Sequence, residues 1–361
     1  AVPVDDAVIA DPAVQSVVDA IEEPFTAGSD SQVIRHSLLP SGFCPAEDCG
    51  DTDKRGLQLV KSLDTVVGKT NILLERHDVL EGVLNNFLAD AMLDVTRSAA
   101  DVDISMTNGF RFGTPVLSSN EAPPGAVFAH GRDPGEITLR DLYTWYPVGP
   151  ALAMSDFSGQ SIERSLNNVL DSVFNRNPFQ QHGGWYLGLA NMTQTIDLVN
   201  RPYTSTEGRI VQTKIGGKPL DPSKRYTFAS CYGHGDPIDG VCQTGGGANP
   251  QFFTVSNVDD PVGSDIGLVP PLMRGPVIAP GRPPQINQVA PDNFLHPVHA
   301  IQIYLSEHTV TDAAHGVGRI VEINSEAKAD PAAYVSSIDP TFVQPPEGAG
   351  PKEFSGRIGE E

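Results

Sequence analysis

The sequence predicts an α+β fold, in which helices pack on a mixed sheet. Segments with the helical spacing of apolar residues and segments with alternating apolar residues follow each other without strict strand–helix–strand alternation. The chain of 361 residues is long enough for one large or two modest domains. Its 35 glycines and 31 prolines predict many turns and long connections.

The spacing of apolar residues predicts helices over residues 12–21, 80–95, 159–173 and 294–305. The first begins with Asp11 and Pro12, and proline is favoured at the first helical position. The second keeps its apolar face over four turns. Ser158 precedes the third helix and is a good N-cap residue.

Strands are predicted over residues 66–74, 102–106, 151–157, 195–199, 209–215, 225–231 and 318–323. The pair Gly216-Gly217 is typical of a two-residue hairpin turn. We therefore expect the strands over 209–215 and 225–231 to form one hairpin.

The chain divides into five predicted segments. They are a linker helix and cysteine-containing loop over residues 1–63, an α+β domain over 64–260, a proline-rich insertion over 261–293, the final helix and strand of the same domain over 294–324, and an extended polar tail over 325–361.

The charge balance limits the classes of partner. Acidic residues outnumber basic ones by 45 to 24, which gives a net charge of −21. A surface this negative repels nucleic-acid phosphates and anionic lipids, so we expect no nucleic-acid partner. No apolar run approaches the roughly 20 residues of a membrane helix, so no membrane span is predicted.

The four cysteines form two local pairs, Cys44 with Cys49 and Cys231 with Cys242, among Pro, Gly and Asp residues. A metal-binding knuckle would require a second matching half, which the sequence lacks. Disulfides are therefore favoured over free thiols. They predict an oxidising, periplasmic or extracellular location.

Catalytic and metal-binding signals are weak. The histidines His296, His299, His308 and His315 cluster in the sequence, but no HExxH or Asp-x-His pattern accompanies them. No GxSxG motif is present. We expect neither a catalytic residue nor a metal site within this chain.

The segment Asn108-Gly109-Phe110-Arg111 carries a stronger signal. It follows a predicted strand and forms a glycine-rich turn. Such a turn exposes backbone N–H groups and an arginine fork to an anion, for example a phosphate or a sulfonate. The alternative is a salt bridge between Arg111 and one of the many carboxylates.

Several motifs occur in the order and at the separations typical of one known family. They are Val67-Gly68-Lys69-Thr70, Leu74-Glu75-Arg76, Asn85 to Met92, Asn108 to Thr114, Asn177 to Gly184 and Gly216 to Pro222. They resemble the 5′-nucleotidase C-terminal domain superfamily over roughly residues 64–235. The segments 108–114 and 177–184 are more similar to its sulfur-oxidation thiosulfohydrolase branch.

The resemblance implies the fold of that C-terminal domain, and it implies a set of substrate-binding residues. The set comprises Arg76, Asn108, Arg111, Phe112, Gln181, Gly183, Gly184 and Trp185. Leu80 stands where nucleotidases have a second substrate-binding arginine, and no aromatic sandwich for a nucleobase is recognisable. A small sulfonate-like or phosphate-like anion therefore suits this chain better than a nucleotide.

In this superfamily a separate metallophosphoesterase domain holds two metal ions and a catalytic Asp–His pair. The resemblance therefore implies two divalent metals, manganese or zinc, on a domain or subunit outside this chain. The expected partners are that domain or subunit and a small anionic substrate, or a carrier protein bearing it. We expect the substrate-binding half of a periplasmic or extracellular hydrolase, inactive alone. The alternative is a non-catalytic secreted binding or assembly protein that retains the fold.

Overall fold

The computed structural model describes residues 11–26, 34–35, 57–76, 78–107, 113–118, 120–122, 132–146, 151–175, 185–198, 208–231, 247–277, 285–289 and 293–323. The helices in these ranges are α1 (Pro12–Thr26), α2 (Val83–Arg97), α3 (Leu139–Trp145), α4 (Gly159–Val173), α5 (Pro297–Glu307) and α6 (Asp312–His315). The predicted tail over 325–361 and most of the cysteine-containing loop lie outside the described residues.

The strands are numbered in chain order. They are β1 (Ile34–Arg35), β2 (Leu57–Gln58), β3 (Val66–Lys69), β4 (Ile104–Thr107), β5 (Glu136–Thr138), β6 (Leu152–Ser158), β7 (Gly188–Ala190), β8 (Met192–Ile196), β9 (Ile210–Ile215), β10 (Lys218–Pro219), β11 (Arg225–Cys231), β12 (Ala248–Val255), β13 (Ile266–Val269), β14 (Leu272–Val277), β15 (Gln285–Val289) and β16 (Ile320–Glu322).

Side-chain caps begin two of the predicted helices. The Asp11 carboxylate accepts a hydrogen bond from the backbone N–H of Ala13 at 2.8 Å, directly before α1. The Ser158 hydroxyl accepts from the N–H of Ser161 at 3.1 Å, directly before α4. Both contacts satisfy N–H groups that have no partner inside the helix. The predicted starts of these helices are confirmed.

The centre of the molecule is a six-stranded sheet with the order β13-β12-β6-β11-β4-β7. The strands β11 and β4 are parallel, and the other neighbours are antiparallel. A second sheet has the order β10-β9-β8-β16, with β16 parallel to β8. The mixed sheets and packed helices confirm the predicted α+β class.

The two faces of the six-stranded sheet bury different cores. Helices α2, α3 and α5 supply one core, in which Phe87 and Ile301 are fully buried. Helix α4 and the four-stranded sheet supply the other, in which Leu166 packs with Ile104 of β4. Side chains alternate between the faces of a strand, so β4 takes part in the second core through every other residue.

The predicted hairpin between residues 209–215 and 225–231 is wrong. Gly216 and Gly217 do form a two-residue turn, with φ values of 57° and 75° that favour glycine. This turn joins β9 to the two-residue strand β10. Strand β11 instead pairs with β6 over seven residues of the larger sheet. The Gly-Gly signal predicts only the local turn. The pairing of β11 with β6 depends on residues far apart in the sequence that pack in the same core.

Residues 261–293 are predicted as a proline-rich connection, but strands lie within this range. Strand β13 extends the six-stranded sheet as the neighbour of β12. Strands β14 and β15 pair with each other, with a register shift between Arg274 and Pro276. Proline cannot donate to a ladder, so it is tolerated at such an irregularity. The many prolines of this range indicate a connection, so the sequence pattern does not predict these strands.

Helix α1 is anchored at its C-terminal end. The N–H of Leu63 donates to the carbonyl of Phe25 at 3.0 Å, and Arg140 bridges Glu22 and Asp64 at 3.0 and 2.9 Å. None of the residues of α1 is buried. In the part of the chain that the structure describes, no helix combines the length and the apolar character needed to cross a membrane.

Candidate functional site

Two of the residues predicted to bind substrate, Arg76 and Trp185, lie in contact. The indole Nε1 of Trp185 donates to the carbonyl of Arg76 at 2.5 Å. The guanidinium Nη1 of Arg76 donates to the carbonyl of Trp145, the last residue of α3, at 3.2 Å. Arg76 is only 5% exposed, whereas Trp185 is half-buried. Arg76 thus places a positive charge inside the protein.

Tyr146 lies beside this guanidinium. Its hydroxyl forms a buried hydrogen bond with the hydroxyl of Thr107, the last residue of β4. Burial lowers the pKa of Arg76 to about 10, and the interaction with Tyr146 partly opposes that shift. Burial also raises the pKa of Tyr146, against the opposing effects of Thr107 and Arg76. Both shifts reflect the cost of charge away from water.

The two ends of the predicted anion-binding turn lie next to Tyr146 and Trp145. Thr107 directly precedes the turn, and Gly113 closes it with a φ of 128°. A Cβ atom added at Gly113 would lie 3.0 Å from the Trp145 ring, so a side chain there would press on the indole. The Trp145 indole N–H also donates to the carbonyl of Thr114 at 3.4 Å.

The other predicted substrate-binding residues, Asn108, Arg111, Phe112, Gln181, Gly183 and Gly184, lie outside the described residues. Their roles remain predictions. The structure brings together Arg76, Trp185 and both flanks of the turn at the end of β4. It gives the next aromatic residue, Tyr186, a core position, with its hydroxyl donating to Gln194 at 2.7 Å.

Tyr146 and Thr107 are residues of this site that the sequence analysis missed. Tyr146 follows α3, and Thr107 is the last residue of β4. The family motifs do not define where either element ends, so neither residue stands out in the sequence. The only available signal was position, since Thr107 directly precedes Asn108.

The clustered histidines have structural contacts. His296 caps α5 by accepting from the N–H of Val298 at 3.0 Å, and His315 contacts the Asp90 carboxylate at 2.7 Å. Among the described residues, no group of three or more His, Cys, Asp and Glu side chains is arranged to hold a metal ion. This part of the chain therefore offers no ligand set for the two divalent metals that the resemblance implies.

Cys231 is buried at the end of β11 and is not a free thiol. Cys44, Cys49 and Cys242 lie outside the described residues. The predicted pairs, Cys44 with Cys49 and Cys231 with Cys242, remain predictions.

Residues 65–233 match the family model described as 5′-nucleotidase, C-terminal domain. This part of the chain is such a domain. The match includes Arg76, Thr107, Tyr146 and Trp185, so the site described above lies within the 5′-nucleotidase C-terminal domain. The match ends before β12.

Curated relatives share the domain. The chain is 31% identical over 169 residues to the trifunctional nucleotide phosphoesterase protein YfkN of Bacillus subtilis, which is 46% of this chain and 10% of that protein. It is 25% identical over 126 residues to the protein UshA of Salmonella pullorum, which is 33% of this chain and 20% of that protein. The chain thus spans only a small part of these relatives.

Two solved structures from Thermus thermophilus are also similar. Sulfate thiohydrolase SoxB, in complex with glycerol, is 19% identical with a TM-score of 0.46, over 73% of this chain and 36% of that chain. A 5′-nucleotidase precursor is 21% identical with a TM-score of 0.43, over 72% of this chain and 40% of that chain.

Proposed function

We propose that this 5′-nucleotidase C-terminal domain is the substrate-binding half of a periplasmic or extracellular hydrolase. It holds an anionic substrate with a sulfonate-like or phosphate-like head group, free or borne by a carrier protein. A dimetal site on another domain or partner chain performs the hydrolysis. The observation that carries the proposal is the buried Arg76 at the end of β4, beside both flanks of the predicted turn.

The burial of Arg76 favours an anionic ligand on electrostatic grounds. A guanidinium in a medium of low dielectric interacts with an oxyanion far more strongly than an exposed one does. Its planar fork matches two oxygens of a phosphate or sulfonate group. The lowered pKa of about 10 still leaves Arg76 charged at neutral pH.

Arg111 is the second arginine of the proposed site. It stands two residues before Gly113, and Gly113 lies against Trp145. We therefore expect Arg111 at the same edge of the sheet as Arg76. Two arginines would hold the anionic oxygens from different sides, and they would stabilise the charge that builds up in the transition state.

The domain would position the substrate and exclude water from it. The half-buried Trp185 ring would form a wall of the site, held by its bond to the Arg76 carbonyl. When present, the two divalent metals of the other domain would activate the attacking water. Manganese and zinc both suit that role.

A non-catalytic binding or assembly protein is the second candidate. The exposed apolar side chains of α1, which include Val14, Val17 and Ile21, favour it. Exposed apolar stripes of this kind are typical of surfaces that bind other proteins. Binding of small anions at Arg76 would favour the hydrolase.

Calorimetric titration of thiosulfate, sulfate, phosphate and a nucleotide tests the proposal. We expect the wild-type protein to bind thiosulfate or phosphate. Arg111→Lys keeps the charge but loses the fork, so it should weaken binding about tenfold or more. Arg111→Ala and Arg76→Lys should weaken it at least as much.

Arg97→Lys is the matched control. Arg97 also donates to backbone carbonyls, those of Val102 and Asp103 at 2.9 and 3.1 Å, but it does not contact the residues of the site. Its replacement should leave anion binding unchanged. Equal affinities in the wild type and all four variants would contradict the proposed function.

A further inference from the structure

We propose that Asp90 and Arg319 are positioning residues of the anion site. They fix the edge strand β7 against the end of β4, where Arg76, Thr107 and Trp185 meet. The inference rests on the proposed function for the anion itself, but its structural basis is a separate set of contacts.

Asp90 and Arg319 form a two-pronged ion pair across the fold. Asp90 lies in the middle of α2, and Arg319 directly precedes β16. The Nη1 and Nη2 atoms of Arg319 donate to the two carboxylate oxygens of Asp90 at 2.8 and 2.6 Å. Both side chains are mostly buried: that of Arg319 is 16% exposed and that of Asp90 is 21% exposed. Such a paired geometry fixes the orientation of the guanidinium as well as its position.

The same guanidinium holds β7. Its Nη1 also donates to the carbonyl of Leu189, the central residue of β7, at 2.5 Å. This strand has three residues and lies at the edge of the six-stranded sheet, with β4 as its one neighbour. A short edge strand has few ladder bonds of its own, so an added charged donor contributes a large share of what holds it.

Strand β7 connects this ion pair to the site. Gly188 of β7 is the register partner of Thr107, whose hydroxyl contacts Tyr146. Trp185 lies three residues before Gly188 and donates to the Arg76 carbonyl. A shift of β7 would therefore move Trp185 away from Arg76 and disturb the end of β4.

Further contacts hold the ion pair in place. His315 bonds to Asp90 at 2.7 Å through Nδ1 and to the Tyr304 hydroxyl at 3.1 Å through Nε2. The Glu81 carboxylate accepts the backbone N–H groups of Gly318, Arg319 and Ile320 at 2.8, 3.0 and 3.1 Å. Arg319 is thus fixed at its backbone and at its guanidinium, as a positioning residue requires.

The test compares this ion pair with a second buried one. Arg209 contacts Asp171 at 3.1 Å and donates through both Nη atoms to the carbonyl of Phe174, the residue after α4. None of these contacts involves β7. The variants are Arg319→Lys and Asp90→Asn, with Arg209→Lys and Asp171→Asn as matched controls. The full chain is labelled with 5-fluorotryptophan, because it has two tryptophans, Trp145 and Trp185. The variant Trp185→Phe assigns the two fluorine resonances.

We expect all four variants to lower the melting temperature. Arg319→Lys and Asp90→Asn should also shift the Trp185 resonance, speed hydrogen exchange of the β7 amides, and weaken phosphate or thiosulfate binding about tenfold. The control variants should leave these three readouts as they are in the wild type. If Asp90 and Arg319 only stabilised the fold, their variants would not differ from the Arg209 and Asp171 variants in these three readouts.

An unchanged Trp185 resonance and unchanged β7 exchange in a folded Arg319→Lys protein would overturn the inference. A wild-type protein that binds neither phosphate nor thiosulfate would overturn the proposed function instead. In that case the fluorine and exchange readouts still decide whether the ion pair fixes β7.

Discussion

At the scale of single residues, the candidate site depends on polar groups that are buried next to one another. Arg76 and Trp185 are recognisable in the sequence because they lie in or near ordered family motifs. Tyr146 and Thr107 are not, because their contact joins residues 39 positions apart, at the ends of α3 and β4. No local pattern marks such a pair. The three-dimensional packing is needed to see it.

The hydroxyl pair of Tyr146 and Thr107 gives a residue-scale prediction. Tyr146→Phe leaves the buried Thr107 hydroxyl without this partner, and Thr107→Val leaves that of Tyr146 in the same state. Each should lower the free energy of unfolding by about 1–3 kcal/mol. The double variant should lower the free energy of unfolding by clearly less than the sum of the two single effects, because both polar groups are then removed. Urea denaturation measures all three, and strictly additive costs would contradict a direct interaction.

At the scale of elements, local signals predicted the helices better than the sheets. Helix α2 spans Val83–Arg97, close to the predicted 80–95, because its apolar face repeats over four turns. Strand β12 and the strands between residues 261 and 293 were missed, because prolines and glycines mask their alternation. The partner of β11 was also wrong. Pairing of strands depends on residues far apart in the sequence, and a turn signal cannot supply it.

Gly188 gives a prediction at the scale of elements, because it lets β7 approach α2. A Cβ atom added there would lie 2.2 Å from the backbone carbonyl oxygen of Asn85. The backbone cannot yield as a flexible side chain can, so Gly188→Ala should lower the free energy of unfolding by at least about 2 kcal/mol. Gly82→Ala is the control, since its nearest neighbour would be 3.5 Å away. Denaturant titration of both variants checks this, and equal stabilities would show that β7 is not held against α2.

At the scale of the whole molecule, the part of the chain beyond the family match completes the fold. Helix α5 packs on α2 in the larger core, and β16 pairs with β8. Residues 293–323 also supply Arg319, which contacts β7 within the matched domain.

The chain carries a net charge of −21, whereas the proposed site is built on a buried arginine. Long-range repulsion by this charge opposes the approach of anions, so binding should strengthen as salt screens it.

The proposed function requires an oxyanion to bind beside Arg76, and the two tryptophans report on that place directly. Trp145 and Trp185 both contact the Arg76 main chain or side chain. The decisive measurement is a fluorine NMR titration of the 5-fluorotryptophan protein with thiosulfate and with phosphate, against sodium chloride at equal ionic strength. We predict saturable shifts of both resonances with an oxyanion and none with chloride. In Arg76→Lys the shifts should require at least about tenfold more oxyanion. Resonances that respond equally to chloride and to the oxyanions, or that shift unchanged in Arg76→Lys, would contradict the claim.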